Sequence, residues 1–304
     1  MPNILVTGSQ GQVGSELHEL HVKYPHYNFI FSDRDTLDIT DVKAVQSTCK
    51  KNSITHIINC AAYTAVDKAE DDETNADAIN HLAVKNLAEV AKEQNISLVH
   101  ISTDYVFDGK NYRPYIETDS TNPQGVYGKT KLDGEQVLLH INPKNSIIIR
   151  TSWVYSSFGN NFVKTMLRLG KERDDLGVIF DQVGTPTYAK DLAEAILEMI
   201  PKINNEIPEI YHYSNEGVLS WYDFAKEIMK MAKLTCKVNP IETSQYLALN
   251  ADTPVPKGKV GCPTPATRPH YSLLNKSKIK KEFGIIVPYW KDSLSECLRK
   301  LGER

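Results

Sequence analysis

Cysteine is scarce and ungrouped in this chain. Its five thiols among 304 residues, Cys49, Cys60, Cys236, Cys262 and Cys297, include no C-x-x-C pair and no histidines at zinc spacing. That scatter excludes a disulfide framework or a zinc ribbon and leads us to expect a reducing compartment and no metal site. Long apolar runs are missing too. Nothing approaches the roughly 18 residues of a spanning helix, and Met1 leads straight into "NILVTG" with no charged or apolar leader, so a cytoplasmic protein off the membrane is expected. Nor is there an excess of basic charge: 35 Lys plus Arg against 38 Asp plus Glu leave a net charge of −3, which argues against a nucleic-acid partner. What the chain does have is 41% hydrophobic residues, enough to bury a core in each of about two domains.

Those hydrophobic residues come in an ordered pattern. Short β-branched runs at 4–7, 29–32, 56–60, 98–102 and 147–151 alternate with helix-patterned stretches. In 77–93, for example, Ala78, Leu82, Leu87, Val90 and Ala91 recur near a 3.6-residue period. Alternation of this kind predicts an α/β fold, a Rossmann-type doubly wound parallel sheet. A helix over 190–200 and the run "EIYHYS" at 209–214 would return the chain to that sheet. Beyond it, "NADTPVPKGKVGCPTPATRP" (250–269) is too rich in proline and glycine for long regular elements. The expected division is a dinucleotide-binding domain of 1–151 with 187–214, and a second, smaller, C-terminal substrate domain of 152–186 with 215–304.

The first strand runs into "TGSQGQVGSEL", which places Gly8, Gly11 and Gly14 at spacings of three ahead of a helix. Glycines there let the backbone turn sharply and bring a pyrophosphate up to amides at a helix N-terminus. The spacing is not the G-x-G-x-x-G of many dehydrogenases; the position at the start of an alternating pattern is what gives it weight. Nineteen residues after Gly14 stands Asp33, placed to bind a ribose 2′-hydroxyl, and its neighbour Arg34 suits a 2′-phosphate. NADH and NADPH both remain open as cofactor.

The sequence holds two Tyr-x-x-x-Lys pairs, Tyr127 with Lys131 in "VYGKTKLDGE" and Tyr222 with Lys226 in "WYDFAK". Spacing alone cannot choose between them, because one helical turn brings any such pair together. Context does. "HISTDYVFDG" ends the fourth strand in Ser102, Thr103 and Asp104, some 24 residues ahead of Tyr127, and strand C-terminal ends meet the ligand crevice of an open parallel sheet. Tyr222 has no strand-end hydroxyl ahead of it, so its pair reads as an amphipathic helix with a solvated lysine.

A glycine-rich first turn, a hydroxyl closing strand four and Tyr-x-x-x-Lys form the constellation of short-chain dehydrogenases. The chain further resembles the dTDP-4-dehydrorhamnose reductase family along nearly its whole length, in "NCAAYTAVDKAE", "STDYVFDG", "YGKTKLDGE", "RTSWVY", "NNFVKTMLRL", "DQVGTPT" and "PTPATRP". The resemblance implies an NAD(P)H-dependent reductase acting on the C4 ketone of dTDP-4-dehydro-L-rhamnose, a dTDP-linked 4-keto-6-deoxy sugar, in a monomer or homodimer. Its catalytic trio falls on Thr103, Tyr127 and Lys131. Hydride reduction of a ketone needs a proton for the developing alkoxide, which the Tyr127 phenol can give. Lys131 and the oxidised nicotinamide would lower that phenol's pKa, Lys131 would bond the nicotinamide ribose, and Thr103 would orient the carbonyl.

The same resemblance places Gly11, Gln12 and Val13 at the pyrophosphate, Asp38 and Ile39 near the adenine, and Ala62, Tyr63 and Thr64 along the cofactor. Asp104 and Trp153 would touch the substrate, and Arg268 would meet its diphosphate. Asn80 is either the asparagine that holds a proton-relay water or a capping and packing residue. Nucleotide-sugar dehydratases are the nearest rival, but their eliminations resemble a Thr-Asp-Glu arrangement, and here Tyr105 follows Asp104. A 4-epimerase is a second rival. A non-catalytic subunit of the same fold, like relatives that regulate methionine adenosyltransferase, is a third, against which the retention of Thr103, Tyr127 and Lys131 argues.

Overall fold

Six parallel strands form the central sheet of the computed structural model, which describes residues 1–251 and 266–303. Most of the expected loop at 250–269, Cys262 included, lies outside the described residues. The strands are β1 (Asn3–Thr7), β2 (Asn28–Ser32), β3 (His56–Asn59), β4 (Ser97–Thr103), β5 (Ile147–Thr151) and β6 (Glu209–Tyr213). Their order across the sheet is β6-β5-β4-β3-β1-β2. Every neighbour pair is parallel. The chain steps outward from β1 to β2, then returns to the other side of β1 for β3. The switch point therefore lies between β1 and β3, where strand C-termini open a crevice.

Both faces of the sheet are covered, which is why a strand such as "IIIRT" is buried throughout. On one face pack α1 (Gln12–Leu20) and α5 (Ala189–Met199), through Leu17, Leu192 and Ile196. On the other pack α2 (Val42–Lys51), α3 (Ala83–Gln94) and α4 (Val126–Ile141), through Val45, Leu87 and Leu138. Asparagine stops two of these helices: Asn95 after α3 and Asn142 after α4 adopt left-handed φ values of 55° and 59°. The helix expected over 77–93 is not uniform. Its turn at Ala78–Leu82 is π-helical, and Asn80 is in that turn.

A second core gathers Val163, Leu167, Leu176, Phe224, Ile228 and Leu294, among others, around the parallel pair Asp175–Ile179 and Lys237–Ile241. The helices Phe162–Glu172, Trp221–Met231 and Trp290–Lys300 close it. Ile279, Phe283, Ile285 and Val287 join the first core instead, although they belong by position to the C-terminal stretch. Cys49, Cys60, Cys236 and Cys297 are free thiols. Among the described residues no helix is long and apolar enough to cross a membrane.

Candidate active site

The first strand delivers the glycine turn to the switch point. Gly8 has φ +65°, and a β-carbon there would stand 2.6 Å from the Ala61 amide nitrogen, so only glycine lets this turn lie against the strand beside it. A β-carbon on Gly14 would be 2.4 Å from the Gly8 carbonyl. Gly11 caps α1 without any side-chain hydrogen bond, and the first turn carries no acidic residue. The free amides and the helix dipole are therefore open to an anion, with no carboxylate from that first turn to compete. Val13 is buried in the core, leaving its amide as the group it can offer. The Gln12 side chain reaches away, accepting from Asn161 Nδ2 at 3.0 Å, and so ties the turn to the second core.

At the end of β2, Asp33 is held by its own loop through Oδ1 and by Gln10 of the glycine turn through Oδ2. Oδ1 accepts from the Asp35 and Thr36 amides, both at 3.1 Å, and from the Thr36 hydroxyl at 3.0 Å, while Gln10 donates to Oδ2. Those bonds hold its carboxyl below the usual range, the Thr36 hydroxyl foremost. Arg34 is exposed beside it, acting electrostatically on Asp38. Asp38 caps Thr40, and Ile39 is packed in the core. The loop 62–64 after β3 is held by Asn80, whose Oδ1 accepts from the Tyr63 amide at 2.9 Å and whose Nδ2 donates to the Tyr63 carbonyl at 3.1 Å and to Thr130 at 3.2 Å. This Asn80 is a clip between that loop and α4.

Thr103 ends β4 and Tyr127 lies in the first turn of α4, with Lys131 one turn on. The Thr103 Oγ1 donates to Asp104 Oδ1 at 3.1 Å. Loss of water pushes the Tyr127 phenol up to about 12, against the pull of the nearby Thr103 hydroxyl and with the help of the Asp104 charge. Lys131 does not offset that rise in this structure. Its ammonium is buried and turned to the sheet, where it donates to the Ile101 carbonyl at 2.6 Å. Burial brings it down to about 8, opposed by Glu135 and Cys60. The lowered phenol expected of this pair is thus not a property of the protein alone.

Asp104 is buried, and desolvation lifts its carboxyl to about 7. The Ser272 hydroxyl is near enough to favour the charged form, yet neither it nor Asp104 Oδ2 makes a hydrogen bond of good geometry. Oδ2 is an acceptor in want of a donor, as a sugar hydroxyl would be. The Tyr105 ring stands edge-on to Tyr127 at 5.4 Å, and its hydroxyl feels the charge of Arg268. Arg268 itself makes a bidentate pair with Asp67, at 3.0 and 2.8 Å. It lines a cleft of about 810 Å³ together with Phe162, Arg173, Gln182, Trp221 and Tyr246. Trp153, at φ +49°, stacks on Trp221 with ring centres 3.6 Å apart, in space that Gly184 leaves by having no side chain. The other tyrosine and lysine pair lies on Trp221–Met231, far along the chain, with Lys226 exposed and its Nζ 5.5 Å over the Tyr222 ring.

Several supporting residues carry no signal in the sequence. A buried ion pair joins Glu135 of α4 to Arg150 of β5, and Ser102 donates to the same carboxylate. Asp77, His81 and Asp133 bring ligand-type atoms within 4.8 Å of one another, and His81 Nδ1 already bonds Asp77 Oδ1 at 2.9 Å. His81 and Asp77 are one helical turn apart, but Asp133 joins them, and Arg150 meets Glu135, only once the helices pack on the sheet.

Comparison with known proteins shows which family the chain resembles. A family model described as the RmlD substrate binding domain matches residues 2–303. The dTDP-4-dehydrorhamnose reductase of Aggregatibacter actinomycetemcomitans is 42% identical over 303 residues, 97% of each chain. Among solved structures, the dTDP-4-dehydrorhamnose reductase of Clostridium acetobutylicum is 42% identical with a TM-score of 0.89, covering 99% of both chains. The Bacillus anthracis dTDP-4-dehydrorhamnose reductase, solved in complex with NADP, is 35% identical with a TM-score of 0.88 and covers 99% of this chain and 100% of that one.

Proposed function

We propose that this chain, which belongs to the dTDP-4-dehydrorhamnose reductase family, reduces the C4 ketone of dTDP-4-dehydro-L-rhamnose to dTDP-L-rhamnose with Tyr127 as proton donor. The observation that carries this reading is the Tyr127 phenol beside the Thr103 hydroxyl at the C-terminal edge of β4. A neutral phenol is the form that gives a proton, and its raised pKa keeps it neutral throughout the physiological range. Thr103 orients the carbonyl, and Asp104 takes a sugar hydroxyl on Oδ2.

The residues present fit a nicotinamide dinucleotide. The uncapped start of α1 and the close turn at Gly8 and Gly14 suit its pyrophosphate. When bound, the coenzyme supplies the hydride. Lys131 holds a buried positive charge near the tyrosine, and residues 1–151 with 187–214 make up the coenzyme side. Because the oxygens of Asp33 are already engaged, Arg34 is the group at this edge left to recognise a 2′-phosphate, which favours NADPH. Arg34→Ala should lower the NADPH-to-NADH ratio of kcat/KM by roughly tenfold or more, the worth of a hydrogen bond to a charged group. An unchanged ratio would remove Arg34 from coenzyme choice.

The nucleotide handle of the sugar is assigned to the cleft lined by Phe162, Trp221 and Arg268. Its diphosphate must draw Arg268 away from Asp67. Arg268→Ala should therefore raise KM for the dTDP-sugar by about tenfold with little effect on NADPH, as for one lost charged hydrogen bond. Asp67→Asn, which frees the arginine, should lower KM. Equal KM values across all three proteins would place the handle elsewhere. Binding of that remote handle also positions the ketone, so a sugar without its nucleotide should lose kcat as well as affinity. Assay of purified protein with dTDP-4-dehydro-L-rhamnose and NADPH tests the reading as a whole.

A further inference from the structure

His100 is a fully buried residue of β4 that the reaction has not yet used. Strand register pairs it with Asn59, and Asn59 in turn with Thr7, so the three side chains follow one another across the sheet. Asn59 Oδ1 accepts from the Thr7 hydroxyl at 2.7 Å and from the Ala61 backbone N–H at 3.2 Å. A peptide N–H can only donate, so this atom is the amide oxygen and the other is the NH₂ group. That NH₂ donates to His100 Nδ1 at 3.0 Å. Nδ1 therefore carries the lone pair, and the one proton of the neutral ring sits on Nε2.

Nε2 faces Lys131 Nζ at 3.5 Å. An N–H aimed at an ammonium meets another donor, whereas aimed at a free amine it meets a lone pair. We propose that His100 is a positioning residue for the reduction: held by Asn59 as the Nε2–H tautomer, it favours the amine form of Lys131 and so sets where the lysine loses its charge. The other groups around Lys131 do not duplicate this. The Cys60 thiol is kept neutral by burial, Glu135 on the same helix shares its charge with Arg150 of β5, and Tyr127 is a neutral phenol one turn back. Burial pushes His100 well below its ordinary pKa, so the ring stays neutral beside the lysine.

The inference rests on Lys131 acting in the proposed reduction, and its first test needs no turnover. Nitrogen NMR of His100 in the ligand-free protein should find the proton on Nε2 at every pH where the protein is folded. A proton on Nδ1 would overturn the proposal. His100→Asn keeps an acceptor for the Asn59 amide while deleting the N–H aimed at Nζ. Asn59→Asp replaces the donor with an acceptor, draws the ring proton to Nδ1 and offers Nε2 to the ammonium. In either variant Lys131 should keep its charge to higher pH, so the alkaline limb of kcat moves up by about one unit, a tenfold change in the proton equilibrium. A loss of rate by the same factor at every pH, with the limb unmoved, would make His100 a packing residue and sink the idea. A wild type that turned nothing over would strike the reductase reading instead, and the spectrum would still decide this one.

Discussion

Tyr127→Phe is expected to lower kcat for ketone reduction by about 10²–10⁴-fold, the usual contribution of a positioned general acid, while the affinity for NADPH stays close to wild type. The phenol is the proposed donor beside Thr103, and phenylalanine keeps the edge-on ring contact with Tyr105 that fills the space. Folding should therefore be little affected. Tyr222→Phe is the matched control, because that ring sits under the exposed Lys226 on a helix of the second core. Steady-state kinetics and coenzyme titration of both variants check this. Equal losses in the two would mean that the pair in α4 has no special role.

The second large effect is on stability. Arg150 and Glu135 have side chains only 3% and 1% exposed, and the guanidinium makes three hydrogen bonds to the carboxylate, at 3.0, 3.1 and 2.6 Å. Glu135→Ala leaves a buried cation without its partner and should cost about 3–5 kcal/mol in urea unfolding. Replacing both at once, Glu135→Leu with Arg150→Met, removes the uncompensated charge and should restore most of that loss. A single variant within about 1 kcal/mol of wild type would show that the pair is not the clamp between α4 and β5 that its geometry describes. Because α4 carries Tyr127 and Lys131, the same clamp fixes the height of these two side chains against β4.

The inner strands of the sheet were legible in the sequence because they are short, β-branched and buried on both faces, so that "NILVT", "HIIN" and "IIIRT" announce themselves against the polar turns. The places of Gly8, Thr103, Tyr127 and Lys131 in the fold could be read in advance because strand ends and helix turns fix their neighbourhood locally. What the sequence could not supply were contacts across long separations. Nothing near Arg268 in the chain foretells its pair with Asp67, 201 positions away, nor does any local pattern join Asn59 to His100. The π-turn that holds Asn80 was also hidden, since a helical period in apolar residues reads the same through one widened turn. Asp33 shows the opposite limit. Its position at the end of β2 was foreseen, but its carboxylate is engaged by Thr36 and Gln10, which only the folded loop reveals.

The central claim is that a neutral Tyr127 phenol completes the reduction of a nucleotide-linked ketone. Its most direct test is to follow NADPH oxidation by the purified protein with dTDP-4-dehydro-L-rhamnose, in wild type and Tyr127→Phe, and to identify the sugar formed. Stoichiometric conversion to dTDP-L-rhamnose by the wild type is expected, with a rate lower by about 10²–10⁴-fold in the variant. Undiminished turnover in Tyr127→Phe, or no oxidation of NADPH by wild type, would contradict it.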